Sequence, residues 1–177
     1  MLNIHRAHYV GNSVGAVLAT ETAASFPERG DKLVLVGCPV FEPFDAPQRL
    51  EDMAGQYDSE GLPIPRTLEE LKAATTFADP KPEWVEANNG TRAQAGVWVG
   101  KLMQALAYYD LMSRLPRIQA SATLVMYGEV DRLRTGEELL RNNIVNASKK
   151  VLPGLGHIPQ IEDPELFVGA LIPFLEG

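Results

Sequence analysis

The stretch YVGNSVGAVL, residues 9–18, joins a short apolar segment of strand character to an alanine-rich segment of helical character. Between them lies Gly-x-Ser-x-Gly, with Ser13 at its centre. This pattern between a strand and a helix is typical of a nucleophile elbow, a sharp turn that exposes the serine hydroxyl above a sheet. The backbone N–H of Val14 would then face a developing oxyanion. The alternative is a plain helix cap, in which the Ser13 hydroxyl accepts a bond from a first-turn amide. The flanking strand and helix favour the elbow.

The same alternation of strand and helix returns near the end of the chain. Continuous apolar runs bounded by turns are typical of strands buried on both faces, as in parallel sheets. Such strands separated by amphipathic helices predict a parallel sheet with helices on its faces. The predicted strands cover residues 7–10, 32–37, 122–127 and 148–154, and the predicted helices around them cover 14–26, 134–144 and 162–177.

Residues 39–115 differ from the rest of the chain in sequence pattern, with proline-rich loops followed by helical patterns. A helix over 67–79 would begin with a capping box formed by Thr67 and Glu70, and a further helix would cover 95–115. We therefore expect an α/β core made of residues 1–38 and 116–177, with a helical insertion over 39–115.

Cap residues also mark the helices of the second core block. Thr135 and Glu138 form another capping-box pattern. Asp163 is expected to cap the last helix, with Pro164 at its first position. Phe167, Leu171 and Phe174 or Leu175 would form the apolar stripe of that helix.

The composition of the chain is that of a globular domain and disfavours several kinds of partner. The 177 residues are 45% hydrophobic and 22% charged, with a net charge of −7, which is typical of a globular domain. The basic residues are scattered, so nucleic acid and anionic membranes are poor partners. The single cysteine, Cys38, allows no internal disulfide, and no apolar run approaches the length of a transmembrane helix or a secretory signal. We expect a cytoplasmic protein.

A serine nucleophile needs a base and an acid that orients the base. Of the three histidines, His5 and His8 precede the elbow within its own strand or the loop before it, and we interpret them as surface residues. His157 lies in a glycine-rich loop after the last strand, a suitable place for a mobile imidazole. Asp131 and Glu129 both follow the strand over 122–127, and Asp131 is preferred. The chain order of serine, acid and histidine suits a sheet whose site lies at the carboxyl ends of the strands.

Three blocks of the sequence, in this order, resemble the α/β-hydrolase superfamily: HYVGNSVGAVLATETAASFPERGDKLVLVG, ATLVMYGEVDRL and LPGLGHIPQIEDPELFVGALIPFL. The resemblance is strongest to its esterase and meta-cleavage-product hydrolase branch. It implies a partial α/β-hydrolase fold, with about four parallel strands flanked by helices and a helical cap over 39–115. It also implies Ser13 as nucleophile, Asp131 as acid and His157 as base. No metal and no cofactor are expected.

Two departures from that branch bear on the substrate. The carbon–carbon bond hydrolases usually carry an aromatic residue after the catalytic histidine, where this chain has Ile158. They also usually carry a cap arginine that holds the substrate carboxylate, near where this chain has Asn88 and Asn89. A short-chain acyl ester is therefore the preferred small-molecule substrate. The residues expected to bind it are Asn12, Trp98, Met103 and Ile158.

A further departure concerns the sheet. The family normally has about four strands before the elbow strand, and a loop among them supplies a second oxyanion donor. Without them the elbow strand becomes an edge, which predicts a homo-oligomer that covers this edge or a neighbouring element folded over it. The alternatives to an esterase are a carbon–carbon bond hydrolase and a non-catalytic, truncated oligomeric module.

Overall fold

The computed structural model describes residues 4–177, which contain a four-stranded parallel sheet in the order β1-β2-β3-β4. Each strand pairs in parallel with the next along the chain, so Asn12 lies beside Val36 and Val36 beside Met126. The α/β class and the four parallel strands predicted from the sequence are confirmed. The strands are β1 (Ala7–Asn12), β2 (Gly30–Val36), β3 (Ala122–Gly128) and β4 (Ala147–Leu152).

The helices around the sheet are α1 (Val14–Ser25), α6 (Glu137–Asn143), α7 (Pro159–Glu162) and α8 (Pro164–Glu176). A 3₁₀ turn over Arg132–Gly136 precedes α6, and another covers Leu115–Arg117. The inserted helices are α2 (Ala46–Ala54), α3 (Leu68–Ala73), α4 (Pro82–Ala95) and α5 (Trp98–Ala107), with a 3₁₀ turn over Pro43–Asp45 before α2.

The central strands each contain a continuous apolar run, Leu33–Val36 in β2 and Leu124–Tyr127 in β3, because both faces of the sheet are covered. Val34 and Met126 lie in a buried cluster against helix α8, and the strand residues that alternate with them, such as Leu33 and Leu35, are also fully buried. The predicted apolar stripe of α8 is confirmed, since Phe167, Leu171, Phe174 and Leu175 all pack on this cluster.

Helix α1 packs on β1 and β2 through small residues. Ala16, Ala19 and Ala23 are buried, and short side chains let the helix backbone approach the strands closely. Leu18 is exposed, because its position on the helix turns it away from the strands.

The described chain forms two compact units. Unit 1 contains Met1–Val40 (described from Ile4), Thr75–Ala78 and Leu111–Gly177, and it holds the whole sheet. Unit 2 contains Phe41–Ala74 and Asp79–Asp110, and its regular elements are helical. Unit 2 therefore consists of two stretches of chain, separated by four residues that belong to unit 1.

Several predicted helix boundaries need correction. The helix expected over 67–79 ends at Ala73, because Thr75 takes a positive φ and leads the chain into unit 1. The helix expected over 95–115 covers Trp98–Ala107 only. Thr67 and Glu70 do form the predicted capping box, and the Asp163 side chain accepts a bond from the Leu166 amide as predicted.

The second predicted capping box was wrong. Thr135 lies inside the 3₁₀ turn, and α6 begins after Gly136 with no side-chain cap. The carboxylate of Glu138 bonds Arg141 and Lys149 instead. Two basic partners compete successfully for a carboxylate that could otherwise have capped the helix.

Candidate active site

Ser13 occupies a strained turn between β1 and α1. Its backbone has φ 55° and ψ −122°, a conformation that a residue with a side chain rarely adopts. The strain is held by the flanking structure, since the Ser13 amide donates to the Val36 carbonyl at 2.8 Å and its own carbonyl accepts from Ala16. The Ser13 hydroxyl makes no cap bond to α1. The alternative of a plain helix cap is therefore wrong.

The two glycines around Ser13 have different roles. A Cβ on Gly11 would lie 2.1 Å from the carbonyl oxygen of Gly15, so only glycine lets β1 approach the start of α1. A Cβ on Gly15 would meet nothing within 4 Å. The close approach of β1 to α1 thus requires glycine at position 11, whereas position 15 has room for a side chain. Val14 follows Ser13 as the first residue of α1, where helix geometry gives its N–H no acceptor within the helix.

His157 and Asp131 form a hydrogen-bonded pair. The Nδ1 atom of His157 lies 2.8 Å from Oδ2 of Asp131, and it must donate because a carboxylate only accepts. The Asp131 side chain is 1% exposed and that of His157 is 15% exposed. The other carboxylate oxygen of Asp131 accepts from the Leu133 amide at 2.9 Å. This second bond fixes the carboxylate. Because Nδ1 of His157 donates to Asp131, Nε2 of the neutral imidazole is the nitrogen that can accept a proton.

Glu129, the second candidate for the acid, has a different partner. Its carboxylate accepts from the Gly154 amide at 2.8 Å, in the turn after β4. Of the two acids that follow β3, Asp131 is the one beside His157. His8, which the sequence predicts to be a surface residue, lies on β1, and its Nδ1 is 3.5 Å from Oδ2 of Asp31.

Gly37 is a residue of this site that the sequence analysis missed. It follows β2 with φ +53°, and a Cβ there would lie 2.8 Å from Nδ1 of His157 and 3.0 Å from Oδ2 of Asp131. The pair therefore lies directly against the Gly37 backbone. A glycine at the end of a buried strand in a parallel sheet was a usable signal, because sites form at the carboxyl ends of such strands.

Gly128 allows the loop of His157 to approach the end of β3. A Cβ on Gly128 would lie 2.1 Å from the Gly156 carbonyl oxygen and 2.3 Å from that of Leu155. We call residues 129–132 the acid loop and residues 153–158 the histidine loop. The elbow, Gly37, the acid loop and the histidine loop thus follow the carboxyl ends of β1, β2, β3 and β4 in turn. All four strands run parallel, so these segments meet at one edge of the sheet.

The four residues expected to bind substrate lie in different surroundings. The Asn12 amide donates to the carbonyls of His157 at 3.0 Å and Val36 at 3.3 Å, so it links the elbow to the histidine loop. Ile158 follows His157 and precedes α7. In unit 2, Met103 lines a cavity of about 590 Å³ with Tyr57. Trp98 is 68% exposed. Their contact with substrate stays a prediction.

Cys38 lies near this edge of the sheet and has no activated thiol. Burial raises the pKa of its thiol to about 12, so the thiolate form is absent near neutral pH. The Tyr127 hydroxyl donates to the Cys38 carbonyl at 2.5 Å, and burial raises the pKa of this phenol also. Both groups are neutral and inert, and they contribute packing and one hydrogen bond to the end of β2.

Residues 4–177 contain neither a cluster of metal ligands nor a helix that could span a membrane. No three histidine, cysteine or acidic side chains there come together as metal ligands. In the same range, every helix is too short or too polar to cross a bilayer.

A parallel sheet with a strained serine after one strand, and a histidine–carboxylate pair after two others, defines a class of hydrolytic enzymes. The model of the alpha/beta hydrolase family matches residues 2–170, and the chain belongs to this family. This confirms the superfamily resemblance of the three sequence blocks.

Individual relatives include both hydrolases and esterases. The chain is 34% identical over 192 residues to 2-hydroxy-6-oxononadienedioate/2-hydroxy-6-oxononatrienedioate hydrolase of Burkholderia vietnamiensis, covering 98% of this chain and 64% of the relative. It is 27% identical to pimeloyl-[acyl-carrier protein] methyl ester esterase of Pectobacterium carotovorum, covering 97% and 71%. An esterase from Exiguobacterium antarcticum shares the fold with a TM-score of 0.72 at 20% identity, covering 95% and 66%.

The chain spans only part of such proteins. It covers 53% to 64% of the length of the first curated relatives that it matches. The activity and substrates of those whole proteins therefore do not transfer to this chain directly.

Proposed function

We propose that this chain is a serine hydrolase of carboxylic esters with short acyl chains. The observation that carries the proposal is the 2.8 Å pair of His157 and Asp131, which follows the carboxyl ends of the same parallel sheet as the strained Ser13 turn. Strain at a non-glycine residue persists only where the surrounding structure holds it, and it concentrates at functional sites. The esterase among the relatives supports the reaction class.

The reaction would proceed through an acyl-enzyme. The Ser13 oxygen attacks the ester carbonyl carbon while Nε2 of His157 takes the hydroxyl proton. Asp131 holds the imidazole and stabilises its positive charge. The tetrahedral oxyanion accepts a bond from the Val14 N–H, and His157 then gives its proton to the leaving alcohol. Water then attacks the acyl carbon while Nε2 of His157 takes its proton. The bond to the Ser13 oxygen breaks, His157 returns the proton to that oxygen, and the acid is released.

Other parts of the proposal rest on sequence alone. Unit 2 would serve as the cap, with Met103 and Trp98 among the residues that contact the acyl group, together with Asn12 and Ile158. The enzyme would be cytoplasmic and would need no cofactor.

A second candidate is hydrolysis of a carbon–carbon bond in a hydroxy-oxo-dienoate. It is favoured by the relative from Burkholderia vietnamiensis, whose name states such a substrate. It is disfavoured by Ile158 and by the asparagines Asn88 and Asn89, which cannot pair with a substrate carboxylate as an arginine can.

The test is hydrolysis of p-nitrophenyl acetate, butyrate and octanoate by the purified chain, by Ser13→Ala and by Ser59→Ala. Ser59 is an exposed serine of unit 2 and serves as the matched control. We expect Ser13→Ala to lose activity by a factor on the order of 10³ or more, and Ser59→Ala to keep it. A fluorophosphonate probe should label the chain and the control but not Ser13→Ala.

Other outcomes would redirect the proposal. Turnover that survives in Ser13→Ala would place the nucleophile elsewhere. A folded chain that neither hydrolyses the esters nor reacts with the probe, yet cleaves a dienoate, would favour the second candidate. A folded chain inactive in all three assays would favour the non-catalytic oligomeric module.

A further inference from the structure

Four residues of the insertion, Thr75–Ala78, belong to unit 1 although both neighbouring stretches of chain belong to unit 2. We call Thr75–Ala78 the strap. It lies between α3, which ends at Ala73, and α4, which begins at Pro82. The sequence predicts helix here, so the departure from helix needs a physical reason. Within unit 1 the strap contacts the acid loop and the histidine loop.

Thr75 bonds both of these loops. Its hydroxyl oxygen accepts from the amide of Arg132 at 2.9 Å, and its carbonyl oxygen accepts from the amide of His157, also at 2.9 Å. Arg132 directly follows Asp131. One residue thus bonds the backbone next to the candidate acid and the backbone of the candidate base.

The backbone of Thr75 is strained in this position. Its φ is 49°, a region that is unfavourable for a β-branched residue. Such a conformation costs free energy and persists only when its surroundings determine it. A plain connection between α3 and α4 could use glycine or asparagine here at lower cost. A threonine at this φ is explained if its hydroxyl is needed, because glycine has no hydroxyl.

The histidine loop is also packed closely on the strap. A Cβ on Gly156 would lie 2.8 Å from both the Ala78 nitrogen and the Thr75 carbonyl oxygen. Phe77 of the strap is buried, with 2% of its surface exposed. The strap is therefore a packed part of unit 1, and the residue before His157 has no space to move toward it.

Glu162 joins the strap and the histidine loop a second time. Its two carboxylate oxygens accept from the Gly156 amide at 2.7 Å and from the Ala78 amide at 2.6 Å. Burial raises the pKa of this carboxyl, and the two backbone bonds oppose the rise. Because both oxygens of this half-buried carboxylate accept bonds from backbone amides, Glu162 links the strap to the histidine loop.

We propose that Thr75 and Glu162 are positioning residues that hold the Asp131 loop and the His157 loop in the arrangement needed for hydrolysis. Thr75 sets the spacing between the two loops, and Glu162 holds the base loop against the strap. This inference rests on the proposed function for its effect on activity, while its structural part stands on the contacts alone.

The central experiment compares Thr75→Val with Thr75→Ser. Valine keeps the shape of threonine and removes the hydroxyl, whereas serine keeps the hydroxyl. We expect Thr75→Val to lower kcat for p-nitrophenyl butyrate by about 10- to 100-fold, because small displacements of catalytic groups cost this much. KM should change little, because a positioning residue acts on the two loops and not on the substrate. Thr75→Ser should restore most of kcat.

Hydrogen exchange of single backbone amides tests the contacts without any assay of activity. The Arg132 amide should exchange faster in Thr75→Val and at the original rate in Thr75→Ser. Glu162→Gln, whose amide can accept only one of the two bonds, should speed exchange at Gly156 or Ala78 and lower kcat. Glu165→Gln, an exposed acid on α8, is the matched control. Glu162→Gln also supplies the test if Thr75→Val does not fold.

The outcomes separate the two proposals. Wild-type kcat together with unchanged Arg132 exchange in Thr75→Val would overturn the positioning role, as would equal losses in the valine and serine variants. If the wild-type chain has no esterase activity but Arg132 exchange still depends on the Thr75 hydroxyl, the proposed function fails and the structural part of this inference holds.

Discussion

At the scale of single residues, the candidate site depends on backbone atoms that approach one another more closely than side chains allow. The elbow approaches the start of α1 at Gly11, and the His157–Asp131 pair lies against Gly37. Glycine is needed at such places because it has no Cβ, and at Gly37 it also relieves the positive φ. The geometry of the candidate site therefore depends on the lack of a Cβ at these glycines as well as on the side chains of the site.

The two elbow glycines provide a matched prediction. Gly11→Ala should disrupt the turn, because its Cβ would lie 2.1 Å from the Gly15 carbonyl oxygen. We expect a loss of about 1–3 kcal/mol of stability, as for other overpacked sites, and loss of esterase activity. Gly15→Ala should keep the fold and gain up to about 1 kcal/mol, because alanine is the better helix former. Urea unfolding and ester hydrolysis of both variants measure this, and equal effects would contradict the different spaces at the two positions.

At the scale of elements, α6 is tied to β4 and to the turn before it by one buried carboxylate. Glu137 is 4% exposed, and its oxygens accept from Lys149 of β4 at 2.8 Å and from Arg134 at 3.0 Å. Burial pushes the pKa of Glu137 upward, but the bonds from Lys149 and Arg134 outweigh it and lower the pKa overall. This carboxylate holds the crossover helix in place while it is ionised.

The lowered pKa fixes the direction of a pH dependence. A carboxyl that is more acidic in the folded chain stabilises the fold at pH values above its unfolded pKa, and this stabilisation is lost as pH falls through the folded value. Glu137→Gln should therefore lower the free energy of unfolding by about 1.5 kcal/mol at pH 7. The difference from wild type should begin to shrink as pH falls below the ordinary glutamate pKa of about 4.3, and it should vanish as pH falls through the lower pKa of the folded chain.

Glu138→Gln is the matched control for this prediction. Glu138 also bonds Lys149, but it lies at the surface, where ion pairs contribute little. Urea unfolding of the three proteins at pH 7 and pH 3.5 gives the comparison. A constant difference between wild type and Glu137→Gln at both pH values would show that packing, and not charge, is responsible.

At the scale of the whole molecule, the two edges of the sheet differ. The β4 edge carries Lys149 and Lys150, and charged side chains of this kind discourage pairing with another strand. Strand β1, at the other edge, has the sequence AHYVGN, and its Val10 is 45% exposed. Among residues 4–177, no strand pairs with the outer side of β1. An apolar edge of this kind is a template for pairing.

We expect the purified chain to self-associate through the β1 edge, as the sequence analysis predicts. Val10→Lys should shift the mass measured by light scattering toward the monomer, because a lysine on the edge opposes pairing. Val145→Lys is the control, since Val145 is more exposed than Val10 and precedes β4. A monomeric wild-type chain, or the same shift in both variants, would contradict this prediction.

Much of the fold could be predicted because its signals are local. Continuous apolar runs predicted the strands, and the cap residues Thr67 and Asp163 marked helix starts that the structure confirms. Two of the failures share one cause. The capping box at Thr135 and the helix expected to continue past Thr75 are locally plausible, but Lys149, Arg132 and His157 offer competing partners from distant parts of the chain.

The sequence by itself determined the α/β class, the order of the strands along the chain and the residue types of the candidate site, because hydrophobic period, turn chemistry and the elbow pattern depend on neighbouring residues. Only the tertiary structure decided that Asp131 and not Glu129 pairs with His157, that Gly37 lies beneath the pair, and that Thr75 bonds both loops. These choices depend on which chain segments the parallel sheet brings to one edge, and contacts between segments that are distant along the chain are not encoded in any local pattern.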